Sequence, residues 1–175
     1  MLVGRVLRSP YAHANINKTI DTSIAKNLEG VEAVITYNYL PHIQFATYSI
    51  CYSWSLDLSH RDVADRFILT YKARFVGDAV AAVIANDEIV AEKALKLIKV
   101  DYEVLPCVLT PEDAIKKDAP IIHEDKQGNI ISSGIDIGNI EDEFKRADYI
   151  IEIECEYETS IVQHCQLENQ TAYSF

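Results

Sequence analysis

Residues 79–85 read A-V-A-A-V-I-A, residues 86–98 N-D-E-I-V-A-E-K-A-L-K-L-I, and residues 99–104 K-V-D-Y-E-V. The first run is apolar on both faces, as a central strand covered on both sides would be. Its small side chains permit close packing of a helix. The second run supplies that helix: Asn86 or Asp87 can cap it, and Val90, Ala94, Leu97 and Ile98 recur at helical spacing as a buried stripe. In the third run Val100, Tyr102 and Val104 alternate with Lys99, Asp101 and Glu103, which predicts a half-buried strand ended by Pro106. Strand, helix, strand is therefore the unit around which the remaining chain is read.

Upstream, residues 2–7 predict a strand stopped at Ser9-Pro10, because proline lacks the ladder donor and turns the preceding residue away from helix. Asp21 reads as the cap of a short helix over 23–27, closed by Gly30. Val31, Ala33 and Ile35 then alternate through a strand over 31–36. From Tyr37 to Arg66 the periodicity fails. This stretch holds Trp54, the aromatics Tyr37, Tyr39, Phe45, Tyr48 and Tyr52, and a charged run over 57–66. A long irregular segment of this kind is usually functional or covered by another part of a protein. Phe67-Ile68-Leu69 and Phe75-Val76 flank a basic turn carrying Lys72 and Arg74.

Downstream, Thr110-Pro111-Glu112-Asp113 is a helix-start signature, with a short helix expected to Lys116. Residues 127–138 are polar and glycine-containing and read as a connector. Asn139 caps a predicted helix over 140–147, whose acids Glu141, Asp142 and Glu143 suit its positive end. Ile151, Ile153, Cys155 and Tyr157 alternate with Glu152, Glu154, Glu156 and Glu158, predicting a strand with one wet face. Residues 163–175 are strand-like with no closing turn, so the chain is expected to be a fragment.

The 175 residues suit one large domain or two small ones, and 16 Lys+Arg against 27 Asp+Glu give a net charge of −11. Such a surface repels phosphate backbones and anionic lipids, which argues against nucleic-acid or membrane-surface binding. No apolar run approaches the length of a membrane span, and residues 1–10 lack the pattern of a secretory signal. Cys51, Cys107, Cys155 and Cys165 form no C-x-x-C or regular framework, so free thiols and a cytoplasmic location are expected.

No catalytic motif is evident from the residues alone. His13, His42, His60, His123 and His164 include no pair at i,i+4. His164 and Cys165, as strand neighbours, would point to opposite faces and not share an ion. The glutamates at 152, 154, 156 and 158 lie along one strand face without converging, so a solvated or partner-facing surface is expected rather than a cation site. Serine- and cysteine-nucleophile motifs are absent, and residues 134–138 (G-I-D-I-G) lack the lysine of a phosphate loop. Composition and periodicity describe an α/β domain with no visible active site.

Taken in order, the remaining segments resemble something specific. They are R-S-P-Y-A-H-A at 8–14, I-D-T-S at 20–23, L-E-G-V-E-A-V-I-T at 28–36 and F-V-G-D-A-V-A-A-V at 75–83. A-E-K-A at 91–94, V-D-Y-E-V-L-P at 100–106, A-P-I-I-H at 119–123, G-N-I at 138–140 and Q-H-C-Q-L-E at 163–168 follow. The series is similar to the a/b hammerhead domain that opens the molybdopterin-binding subunit of the xanthine dehydrogenase and aldehyde oxidase family. Arg61-Asp62, Ala64-Asp65-Arg66 and the Q-H-C tripeptide resemble the bacterial xanthine dehydrogenase branch.

The resemblance implies an α+β fold: a hammerhead domain over 1–108, a connector over 109–147, and over 148–175 the first strands of a molybdopterin-binding domain. It implies a molybdenum–molybdopterin cofactor in the full-length protein, with iron–sulfur and FAD partners accepting the electrons. The substrate class is purines such as hypoxanthine or xanthine, into which water-derived oxygen is inserted. The family's glycine-rich cofactor loop and catalytic glutamate lie downstream of this stretch. No catalytic, cofactor-binding or metal residue is therefore carried over. His164 and Glu168 match the family's entry into the next domain and are taken as structural. A second reading stays open: a stand-alone assembly or docking module whose aromatics at 37–52 and apolar C-terminal strand would meet a partner.

Overall fold

The computed structural model of the chain describes residues 1–44, 66–124, 127–130 and 139–160, together with residues 162, 165, 167, 168 and 172. Residues 1–133 form one compact unit and residues 134–175 a second.

The first unit contains β1 (Val3–Arg8), β2 (Ala14–Asp21), α1 (Ser23–Lys26), β3 (Val31–Thr36), β4 (Lys72–Ala73), β5 (Ala79–Ala85), α2 (Glu88–Leu97), β6 (Lys99–Val104) and α3 (Pro111–Ala114). The strands make two three-stranded sheets, ordered β1-β5-β3 and β4-β2-β6. Every pairing among them is antiparallel. As its apolar run predicts, β5 is central, with Leu7 opposite Ala81 on one side and Val34 opposite Val83 on the other.

Ala81, Val83 and Ala85 share one face of β5 and enter the core with Ala25, Val34, Ala91, Ala94 and Ile98. On the opposite face Val80 is fully buried, while Ala82 and Ile84 are half-covered. Helix α2 packs on β1, β5 and α1. Alanines at 85, 91 and 94, all at 0% exposure, remove the side-chain bulk that would hold helix and sheet apart. The buried stripe is thus Ala91, Ala94 and Ile98, with Val90 and Leu97 only partly buried at its margins. Asp87 is the cap, its carboxylate accepting from the Val90 amide at 2.8 Å.

Four expectations are corrected. Strand β2, which the sequence reading leaves unassigned, is the middle strand of the second sheet. The basic stretch around Lys72 is not a turn: Lys72 and Ala73 form β4 opposite Asn15 and Ala14. The helix at 110 ends at Ala114, short of Lys116. Asp21 does not cap α1 directly. Thr22 holds the cap position without a side-chain bond, and the Asp21 carboxylate accepts from the Ser23 amide and hydroxyl at 3.0 and 2.6 Å. The strand–helix–strand unit is present, but β5 and β6 belong to different sheets, so α2 carries the chain from one sheet to the other.

The second unit contains α4 (Ile140–Arg146), whose cap Asn139 accepts from the Asp142 amide. Its acidic first turn and basic last turn suit the helix dipole. The strand expected over 151–158 is not formed: a strand exists only with a partner ladder, and residues 148–160 are exposed and join no ladder among the described residues. Ile151 at 85% and Ile153 at 76% exposure are open to water, as is Glu152 between them. Among the described residues no helix is long and apolar enough to cross a membrane.

Candidate functional site

A group of charged side chains surrounds β4. Thr70 opens it: its hydroxyl donates to the Lys72 carbonyl at 2.6 Å and accepts from the Lys72 amide at 3.1 Å. Its own amide donates to the Ala79 carbonyl at 2.7 Å, and the Gly77 amide donates to the Ser9 carbonyl at 2.8 Å. The chain entering β4 is thereby tied to the start of β5, and the loop between β4 and β5 to the residue that follows β1. Asp78 braces it from inside, accepting from the Arg74 amide at 3.2 Å and the Ala79 amide at 3.0 Å. Burial pushes the Asp78 carboxyl up, against the lowering effect of those two amides and of Arg66 and Arg74.

The pairing with the connector is made by Glu124. Its Oε1 is ion-paired with the Lys72 ammonium, and its Oε2 accepts from Arg74 Nη2 at 3.1 Å. Arg74 Nε also donates to the Ile122 carbonyl at 3.2 Å. The Lys72 and Arg74 side chains are only 10% and 11% exposed, against 63% for Glu124. Hydrogen bonding from Lys72, opposed by burial and aided by Arg74, holds the Glu124 carboxyl down at about 2. A depressed carboxylate contributes stability above its ordinary value near 4.5 and loses that contribution as pH falls toward 2. At neutral pH Glu124 is a committed ion-pair partner and not a proton donor.

Beside this group lies a cleft of about 170 Å³ lined by Arg66, Phe67, Thr70, Arg74, Phe75, Asp78 and His123. The Arg66 guanidinium sits 4.4 Å from the Phe75 ring centroid. Phe67 continues into a ring cluster with Tyr37 and Tyr71, and His42 stacks on Tyr37 at 4.0 Å.

A second node is His13, 4% exposed. Its Nδ1 lies 2.6 Å from the Pro106 carbonyl, and its own carbonyl accepts from the Leu105 amide at 2.9 Å. It pins the chain leaving β6 to the start of β2. Its Nε2 is buried without a hydrogen-bond partner among the described residues.

Of the other residues weighed in the sequence, Glu152, Glu154, Glu156, Glu158 and Glu168 are exposed residues of the second unit. Cys107, Cys155 and Cys165 are free and exposed. His60, His164 and Cys51 lie outside the described residues, as does the segment from Phe45 to Asp65. Among the described residues no three His, Cys, Asp or Glu side chains are placed to hold a metal ion. Sequence reasoning noted Lys72 and Arg74 but missed Glu124, which is fifty-two positions from Lys72. Two basic positions on an otherwise apolar chain segment were the available signal.

Two antiparallel sheets bridged by α2, with an ion-paired β4 cluster, define a mixed strand-and-helix domain. The family model "Aldehyde oxidase and xanthine dehydrogenase, a/b hammerhead domain" matches residues 1–106, and the chain belongs to that family. It is 39% identical over 176 aligned positions to the xanthine dehydrogenase molybdenum-binding subunit of Escherichia coli O157:H7, covering 100% of this chain and 22% of that protein. Over 133 positions it is 38% identical to the carbon monoxide dehydrogenase large chain of Afipia carboxidovorans, covering 71% of this chain and 14% of that one. The aldehyde oxidoreductase of Desulfovibrio gigas superposes with a TM-score of 0.61 at 34% identity, over 71% of this chain and 13% of that structure. The chain thus spans about a fifth of the length of its E. coli relative.

The described residues do not fit a molybdenum group. They offer no ligand cluster, and the two buried cations of the β4 group are already held by Glu124. No catalytic step follows from them.

Proposed function

We propose that this chain is the hammerhead-bearing segment of the molybdenum-binding subunit of a xanthine dehydrogenase. The complete enzyme hydroxylates hypoxanthine or xanthine in the cytoplasm and passes electrons to iron–sulfur and FAD partners. In this reading residues 1–108 are the hammerhead domain, 109–147 a connector and 148–175 the opening of a molybdopterin-binding domain. The 39% identity to the E. coli xanthine dehydrogenase protein along the whole chain supports the reading most strongly. A probable xanthine dehydrogenase chain of Bacillus subtilis, 37% identical over 87% of this chain, supports it as well. The carbon monoxide dehydrogenase likeness covers a smaller share.

The test is substrate competition in the complete subunit, assembled with its partners and loaded with molybdenum. A purine should be oxidised with a kcat/KM at least about tenfold above that for carbon monoxide or an aliphatic aldehyde. Absence of purine turnover, or a preference for either competitor, overturns the proposal.

A further inference from the structure

We propose that residues 111–124 and 127–130 form a strap that Glu124 latches onto β4, and that this strap opens as a unit separate from the sheets. The strap is braced within itself. The Asn129 side-chain amide donates to the carbonyls of Ala114 at 3.1 Å and Pro120 at 3.0 Å, and its oxygen accepts from the Ile122 amide at 2.9 Å. Thr110 caps α3 and donates to the Asp113 carboxylate at 2.9 Å, so the strap's first turn is self-contained as well.

Apolar packing holds this strap only in part, with Ala114, Ala119, Pro120 and Ile122 half-buried. None of its described side chains falls in the buried class, and Ile115 is 67% exposed. Side chains of the β4 group bond the strap at two positions: Glu124 receives Lys72 and Arg74, and the Ile122 carbonyl receives Arg74 Nε, while His123 between them lines the adjoining cleft. Beneath the strap the two cations are about nine-tenths covered. Closed, they are paired in a partly dry setting where charge-assisted bonds are strong; open, they return to water. A segment fixed by a few charge-assisted bonds and little apolar area belongs to the low-stability end of a fold. The latch therefore sets the path of the chain as it leaves the hammerhead, and its release bares a dibasic patch on an otherwise acidic protein.

Hydrogen exchange on the whole chain tests this. In the wild type the Arg74 Nε–H, which donates to the Ile122 carbonyl across the latch, should exchange through an opening distinct from, and more frequent than, the one that exposes the β5 amides. In Glu124→Gln its exchange should rise roughly 10- to 100-fold, the factor expected for losing a bond to a charged group. The Ile122 amide, bonded to Asn129 within the strap, and the β5 amides should keep their rates, and Glu124→Asp should fall between. Unchanged Arg74 Nε–H exchange in Glu124→Gln overturns the latch. So does a wild-type Arg74 Nε–H that opens only together with β5, a result that stands even if the variant fails to fold.

Discussion

At the scale of single residues, Gly30 shows how a turn that is readable in sequence acquires a measurable cost. Its φ of +89° lies where a Cβ is strained, and an added Cβ would come within 2.7 Å of Asn86 Oδ1. The Gly30 carbonyl also accepts from the Asn86 amide at 2.9 Å, so the end of β5 and the start of β3 are clamped at this point. The exposed Asn86 side chain can swing aside, but the backbone strain cannot be relieved. Gly30→Ala should therefore cost about 1–3 kcal/mol. Gly4 in β1 has open space around its Cβ position and no positive φ, so Gly4→Ala should stay within about 0.5 kcal/mol of wild type. Urea midpoints of the two variants check this, and equal shifts would refute the backbone argument. The turn at Gly30 was legible because glycine is a local turn signal, although the helix it was expected to close ends earlier, with Asn27 as its cap. The Lys72–Glu124 pair was not, since nothing near either residue names a partner fifty-two positions away.

At the scale of elements, legibility followed whether a segment's own pattern matched its surroundings. Strand β5 and helix α2 were readable because an uninterrupted apolar run and a capped helical stripe each admit one kind of burial. Strand β2 was not: its sequence A-N-I-N-K-T-I-D is rich in polar residues of poor strand propensity. It forms because β4 and β6 flank it on both sides, with an irregularity between Ile16 and Ile20. Residues 151–158 failed in the opposite sense, having the alternation of a strand and no ladder to join among the described residues. The same logic locates a test in α2, which begins at the Asp87 carboxylate on the Val90 amide. Glu88, just inside that end, is also ion-paired with Arg5 of β1. Asp87→Ala should destabilise the chain by about 1 kcal/mol, within the usual range for a lost cap. Asn86→Ala should cost less, because the structure assigns the cap to Asp87 alone. Thermal unfolding of the two variants decides it, and a larger loss at Asn86 would reassign the helix start.

At the scale of the whole molecule, the two units differ in what could hold each of them folded. Among the described residues the strand pairings join positions between Val3 and Val104, and the buried hydrophobic residues lie between Ala14 and Ile98. Among the described residues of 134–175 the regular element is α4, which has no buried residue. Tyr149, Ile151, Ile153 and Tyr157 are 76–91% exposed, an unusual concentration of apolar surface. Cooperative stability should thus reside in residues 1–133, while residues 134–175 mainly burden solubility. A chain ending at Ser133 should unfold within about 0.5 kcal/mol of the 175-residue chain, as substitutions away from a core do. It should also stay monomeric at concentrations where the longer chain self-associates. Urea denaturation with sedimentation velocity on both chains measures the two properties together. A large loss of stability on truncation would mean that residues 134–175 contribute to the folded core. Unchanged self-association would instead place the sticky surface on the first unit, where the exposed Tyr39, Ile43, Ile68 and Val76 are the side chains to replace.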